Sequence, residues 1–183
     1  NTPFFVPGYV AQIFVFIMQY PGLVERMNAL EGHKYLTQAG LIAFFHSLYD
    51  ELSVGGTPNI DRILGALNEP QVVSFLRDLQ ARPLAVEVER VEEAFGDAML
   101  RLQRGALEAE RLHLNQQIRD AFSVDPVRCA ELGEQLNRVR VELGRLAAAP
   151  GLRAREAVDV RLRAEEVGRD LCRDLHVPHV PVR

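Results

Sequence analysis

Cysteine is scarce in this sequence, whose 183 residues include only Cys129 and Cys172. Two thiols are too few for a disulfide scaffold, and they do not form the Cys-x-x-Cys pair that redox and zinc sites use. Both lie among apolar helical residues, where a buried, inert thiol is the usual state. This cysteine usage favours a protein of the reducing cytoplasm.

Signals for a membrane or for secretion are also lacking. The apolar run from Tyr9 to Met18 is about half as long as a membrane-spanning helix. No Lys or Arg precedes this run to provide the basic start of a signal peptide. The chain opens Asn-Thr-Pro without an initiator Met, which suggests a piece of a longer protein. We expect a cytoplasmic protein that makes no membrane contact.

The chain has no excess of positive charge to hold it on a nucleic acid, because its formal net charge is −4. Residues 126 to 183 hold 11 basic and 9 acidic side chains, against 10 and 16 in residues 1 to 125. This balance is typical of a mixed-charge helix surface rather than of a DNA-binding arm. The aromatic residues from Phe4 to Phe16 are not interleaved with basic residues, so we assign them to a core. We expect no direct binding of nucleic acid.

Residue patterns that carry catalysis are absent from the sequence. It contains no glycine-rich phosphate loop, no nucleophile elbow and no Asp-x-Asp cluster. The pair Gly55 and Gly56 predicts a turn. We therefore expect a non-catalytic chain with no catalytic residue, no cofactor-binding residue and no cofactor.

Metal-binding patterns are incomplete. A di-metal site in a helical bundle needs Glu-x-x-His on two helices, and here Glu110 and His113 form that pattern once. His176 and His179 stand in a proline-broken tail and are not predicted to hold a metal. His33 and His46 are isolated in the sequence, as turn or surface histidines are. We expect no metal site.

Apolar residues recur at the helical period along nearly the whole chain, and no stretch alternates as a strand would. The sequence therefore predicts an all-α fold. Residues 1 to 86 indicate a bundle of short helices, in which Pro21 opens the second, Gly32 can close it, and Thr57 with Pro58 caps the fourth. The inward positions are Val10, Ile13, Phe14 and Ile17, then Leu41, Phe45, Leu48 and Leu52, then Ile60, Ile63, Leu64 and Leu67, and, in the helix that Pro70 opens, Val72, Leu76 and Leu79.

One long helix is predicted for residues 87 to 122, because this stretch contains no proline. Its first apolar stripe completes the bundle over residues 87 to 106, and a rotated second stripe starts a helical hairpin over residues 107 to 147. Asp125 followed by Pro126 is a cap-and-proline start for the hairpin's second helix. The two stripes are Val88, Val91, Phe95, Ala98 and Leu102, and then Leu107, Leu114, Ile118 and Phe122.

The hairpin's second helix carries a heptad stripe with 4-3-4-3 spacing, formed by Leu132, Leu136, Val139, Leu143 and Leu146. This spacing fits packing against the long helix and binding of a partner equally well, and the two are compatible. Pro150 and Gly151 end the helix. Residues 148 to 183 are predicted to add an extra C-terminal helix, over residues 152 to 175, and a proline-broken tail.

Three segments carry a resemblance to a known family. QYPGLVERMNALEG, from Gln19 to Gly32, looks like a Q-x-P-x-L helix junction, and LIAFFHSLYDEL, from Leu41 to Leu52, looks like the helix that follows it. Within the long helix, the pattern E-x-x-F-x-D-A-x-x-x-L is matched by Glu92, Phe95, Asp97, Ala98 and Leu102. In this order the segments resemble the C-terminal helicase-binding domain of bacterial DnaG-type DNA primases, over about residues 9 to 147. Residues 148 to 183 depart from the family pattern.

The resemblance implies a domain that docks on the N-terminal domains of the hexameric, DnaB-type replicative helicase and couples RNA primer synthesis to DNA unwinding. The parent protein would be a DNA primase of the primosome, with its catalytic domains upstream of this chain. Together with the heptad stripe, this predicts a docking site on the hairpin. The candidate partner-binding residues are Leu132, Leu136, Arg138, Val139, Leu143 and Arg145.

Three alternatives remain open. The N-terminal domain of the replicative helicase shares the plan of bundle plus hairpin, but a nucleotide-binding ATPase should follow it. A small metal-carboxylate bundle enzyme would contain a stoichiometric metal, and a coiled-coil scaffold built on residues 132 to 146 would be a stable dimer. We expect a monomer or a weak dimer.

Overall fold

The structure, a computed structural model, describes residues 4–83, 86–122 and 125–148. Within these ranges the fold is all-α, as predicted, and contains no strand. The α-helices are α1 (Gly8–Gln19), α2 (Leu23–Ala29), α3 (Ala39–Ser53), α4 (Ile60–Ala66), α5 (Pro70–Gln80), α6 (Val91–Ala121) and α7 (Pro126–Ala147), and short 3₁₀ helices span Gly32–Tyr35 and Val88–Arg90. The predicted terminal helix and tail, with Cys172, His176 and His179, lie outside the described residues.

Residues up to Leu143 form one compact unit, which holds two separate hydrophobic clusters. The first core combines α1 to α5 with the part of α6 from Val91 to Leu102. The second core joins the rest of α6 to α7. Beyond Leu143 the structure describes only the end of α7 and Ala148. The boundary predicted between residues 106 and 107 stays a prediction, because both cores belong to the same compact unit.

Helix α1 lies at the centre of the first core. A helix that is apolar on nearly every side is stable only when its neighbours cover it. Here α2, α5 and α6 pack around α1. The side chains left with no exposed surface are Ile13, Phe14, Phe16 and Ile17. None of the described helices is long and apolar enough to cross a membrane.

The long helix α6 is anchored on α1 by Phe95. The Phe95 ring meets Phe16 edge-on, with ring centroids 6.2 Å apart, and it has no exposed surface. Phe14 and Phe44 make a tilted contact at 5.9 Å, which joins α1 to α3. Such pairs contribute about 0.5–1.5 kcal/mol beyond the burial of their area. The predicted inward positions Val91, Phe95, Ala98 and Leu102 are all buried.

Two predicted members of the α6 stripes are exposed. Val88 is 67% exposed because it lies in the 3₁₀ turn before α6, where the helical period of α6 does not yet apply. Phe122 is 76% exposed because α6 ends at Ala121. Both predictions were wrong for the same reason, because the predicted helix began before the start of α6 and continued past its last residue.

The predicted cap of α4 at Thr57 is also wrong, because α4 begins two residues later than expected. Asn59 caps this helix, with its side-chain oxygen accepting a 3.0 Å hydrogen bond from the backbone N–H of Arg62. The Glu51 carboxylate accepts from the Asn59 backbone N–H at 2.9 Å and pairs with the Arg62 guanidinium at 2.7 Å. The Arg62 contact, followed by the Asn59 hydrogen bond, lowers the pKa of Glu51. These contacts place the helix start at Asn59.

Gly32 does not close α2 in the way the sequence predicted. The residue with left-handed backbone after α2 is Glu31, with φ 52°. Gly32 is instead buried at the start of a 3₁₀ turn, where an added Cβ would collide with the Met99 side chain of α6. Glycine lets the turn approach α6 closely here, and it is not required by a positive φ.

Replacing Phe95 by alanine should destabilise the first core strongly. Truncating a buried Phe costs about 3–5 kcal/mol, which is comparable with the stability of a small domain. Urea denaturation followed by circular dichroism would measure the loss. Phe122→Ala, the same change at an exposed position, is the matched control and should shift stability by less than about 0.5 kcal/mol. Equal stability of the two variants would show that Phe95 does not anchor α6.

Candidate protein-binding site on the helical hairpin

The second half of α6 and α7 form the predicted hairpin. The second core between them contains Leu114 and Ala121 of α6 and Leu132, Leu136 and Val139 of α7, with exposed fractions of 4–9%. Leu107, Ile118 and Leu143 pack against its edges. The 4-3 spacing of the α7 residues places them on one side of the helix, as the heptad pattern predicted.

The start of α7 matches the predicted cap. The Asp125 carboxylate accepts a 3.0 Å hydrogen bond from the backbone N–H of Arg128, and Pro126 is the first helical residue. The backbone N–H of Asp125 also donates to the Ala121 carbonyl at 2.9 Å, which joins the end of α6 to the cap. A proline at this position removes only an N–H that has no partner within the helix. The cap and Pro126 together fix where α7 begins.

Short-range polar pairs link successive turns of α6 in the hairpin. Arg111 pairs with Glu108 at 2.8 Å, and the Gln116 amide donates to Asp120 at 3.0 Å. The His113 ring and the Gln117 amide are 2.9 Å apart. Pairs of this kind contribute a few tenths of a kcal/mol each. They therefore stabilise α6 only slightly.

The six predicted partner-binding residues fall into three groups by their burial. Leu132, Leu136 and Val139 are each 6% exposed, so packing within the hairpin already occupies them. Leu143 is half-buried at the edge of the second core. Arg138 is exposed on α7, and Arg145 is exposed in the part of the chain beyond Leu143. Binding through these residues stays a prediction, and the exposed members can make contacts without opening the hairpin.

Two exposed apolar residues of α7 escaped the sequence analysis. Val127 is 71% exposed and Val141 is 61% exposed. At 3.6 residues per turn, these two side chains and Arg138 lie about 150° around α7 from the buried stripe. We call these three residues the outer face. A signal existed in the sequence, since Val127 and Val141 are apolar residues that fall outside the heptad positions.

His33 and His46 are a turn and a surface histidine, as predicted, but in the fold they contact each other. The 3₁₀ turn places the His33 ring in a stack on Phe45 at 5.5 Å and edge-on to His46 at 5.2 Å, both measured between centroids. His33 is half-buried and His46 is exposed. Over residues 4–83, 86–122 and 125–148, no group of three or more His, Cys, Asp or Glu side chains could hold a metal ion. The contact is a packing feature of the bundle.

The other singled-out polar residues lie on the surface of the hairpin. Glu110 and His113, the one Glu-x-x-His pair, are both exposed on α6. Cys129 is a free thiol on the first turns of α7. It is half-buried rather than fully buried as expected, because the second core begins only at Leu132.

Comparison with protein-family models, curated proteins and solved structures finds no match for this chain. We therefore infer what the hairpin can bind from its exposed residues.

Replacing Asp125 by alanine should loosen the hairpin and leave the bundle folded. Loss of an N-cap carboxylate typically costs about 1 kcal/mol, and the first core has no contact with this cap. Amide hydrogen exchange of α7 would report the local change. Glu131→Ala, at an exposed position outside the cap, should leave exchange nearly unchanged. Cooperative unfolding of the whole chain near physiological temperature would contradict a separately packed hairpin.

Proposed function

We propose that this chain is the helicase-binding domain of a DnaG-type primase and that its hairpin docks on the N-terminal domains of a DnaB-type replicative helicase. The observation that carries this proposal is the hairpin itself. Its residues form a core separate from that of the bundle, and among the residues the structure describes this second core has five buried members. The domain has no catalytic role in the proposal and serves to hold the primase beside the unwinding fork.

The residues behind the resemblance have identifiable structural roles. Gln19 donates a 3.0 Å hydrogen bond from its amide to the Arg82 carbonyl, so the α1–α2 junction is tied to the end of α5. Leu23 is buried in the first core. In the long-helix motif, Glu92 pairs with Arg26 of α2, and Phe95 packs on α1. The shared pattern thus contains the residues that join α6 to the bundle, and this supports the assignment to one family.

The outer face of α7 is the part of the hairpin best suited to a protein partner. Its two valines expose apolar surface, and Arg138 lies between them in the sequence with its charge in solvent. Protein interfaces are enriched in arginine and depleted in other charged residues at their centres. A stable interface buries on the order of 1,200–2,000 Å² in total. One helix face supplies only part of this area, so the bundle would add contacts.

The direct test is co-elution of the full chain with a purified hexameric replicative helicase, compared with a helicase that lacks its N-terminal domains. We expect binding to the first and not to the second. Val127→Asp combined with Val141→Asp should weaken binding at least about tenfold, because it places two charges on the outer face. Val54→Asp, at a bundle position that is 89% exposed, is the matched control and should bind as wild type.

The choice of exposed positions matters for this test. Leu136→Asp would place a charge in the second core and unfold the hairpin, so its loss of binding would not locate the interface. Equal binding to both forms of the helicase would refute docking on the N-terminal domains. Unchanged binding by the double variant would move the site away from α7.

A further inference from the structure

A cavity of about 130 Å³ opens in the bundle between the segment before α1, the loop before α3 and the middle of α6. Its walls include Tyr9, Tyr35, Leu41 and Leu102, and none of its lining residues carries a charge. An apolar cavity of about 150 Å³ accommodates a benzene molecule. This cavity therefore has room for one aromatic ring.

The cavity exists because the bundle-facing side of α6 loses its large residues. At 3.6 residues per turn, Gly105, Ala106 and Ala109 continue the direction of the stripe that ends at Leu102. The Tyr9 hydroxyl lies against Gly105, only 2.7 Å from where a Cβ would be. Small side chains on α6 thus leave open the space that a leucine or phenylalanine would fill.

An exposed aromatic ring stands on the rim of the same cavity. Phe5 is 74% exposed, and it also lines the cavity. Its neighbours face the protein: Phe4 meets Phe75 of α5 edge-on at 5.6 Å, and Val6 is half-buried. Phe5 thus projects from the surface while the residues on either side of it pack on the bundle.

We propose that the occupant of this cavity is Phe5 of a second copy of the chain, inserted reciprocally in a two-fold dimer. A two-fold interface uses the same patch on both copies, so it requires a projecting group and its receptor side by side. Phe5 and the cavity meet that requirement. The absence of charged lining residues also favours a two-fold dimer. Near a two-fold axis a charged group would face the same group of the second copy, and the two like charges would repel each other.

The dimer should be weak. Each inserted phenylalanine buries on the order of 150–250 Å², so the two rings alone fall well short of the area of a stable complex. Leu112, which is 64% exposed on the same side of α6 and three residues beyond Ala109, can add to the contact. We therefore expect weak association, which involves neither the outer face of α7 nor the helicase.

Sedimentation equilibrium of the full chain from about 10 μM to 1 mM would measure the association. We expect a reversible monomer–dimer equilibrium. Phe5→Ala removes the inserted ring and should weaken dimerisation at least about tenfold. Phe122→Ala, the same change at a ring that is 76% exposed on the hairpin, should have no effect. Ala109→Leu at the exposed edge of the cavity should also weaken dimerisation, whereas Ala130→Leu at an exposed site of α7 should not.

Mixing two variants separates reciprocal insertion from a general loss of structure. Phe5→Ala keeps the cavity and lacks the ring, whereas Ala109→Leu keeps the ring and blocks the cavity. Each alone permits no insertion, and their mixture permits one, so the mixed pair should associate more tightly than either variant alone. A wild-type chain that is monomeric at 1 mM would overturn the proposal. A dimer that tolerates both Phe5→Ala and Ala109→Leu, or one that depends on Phe122, would also overturn it.

Discussion

The apolar side of α6 changes direction along the helix, and both hydrophobic cores depend on this change. Its buried residues from Val91 to Leu102 face the bundle, whereas those from Leu107 to Ala121 lie about 140° around the helix at 3.6 residues per turn. A single straight helix can therefore complete one core and begin another on nearly its opposite side. The helix needs no kink or linker, and the hairpin can extend away from the bundle without exposing its own seam.

The residues of the first core are more completely buried than those of the second. The first contains twelve large side chains that are essentially fully buried, among them Phe14, Phe45 and Phe95. Among the residues that the structure describes, the second core contains no aromatic ring, and each of its buried residues keeps 4–9% of its surface exposed. Regions with few buried apolar contacts open at lower free energy than the whole fold. A hairpin of this kind combines a defined surface with local adaptability, and the proposed docking role requires both.

The sequence predicted the buried sides of the helices better than their ends or their mutual contacts. The periodicity around Leu41, Leu76 and Leu132 reports which side is buried, because it repeats over several turns. A helix start depends on a single cap, and near α4 Glu51 favours Asn59 over Thr57 through a hydrogen bond across eight residues. The His33–His46 contact and the Gly32 approach to Met99 join separate elements, so no local pattern contains them.

Helix α6 contributes residues to two cores, and we expect these cores to differ in stability. Native-state hydrogen exchange along α6 tests this most directly. Amides from Phe95 to Ala106 should exchange with an opening free energy close to that of global unfolding, together with those of α1. Amides from Glu110 to Ala121 should exchange at a lower free energy, together with those of α7. A single opening free energy along the whole of α6 would contradict the account, because it would mean that bundle and hairpin unfold as one unit.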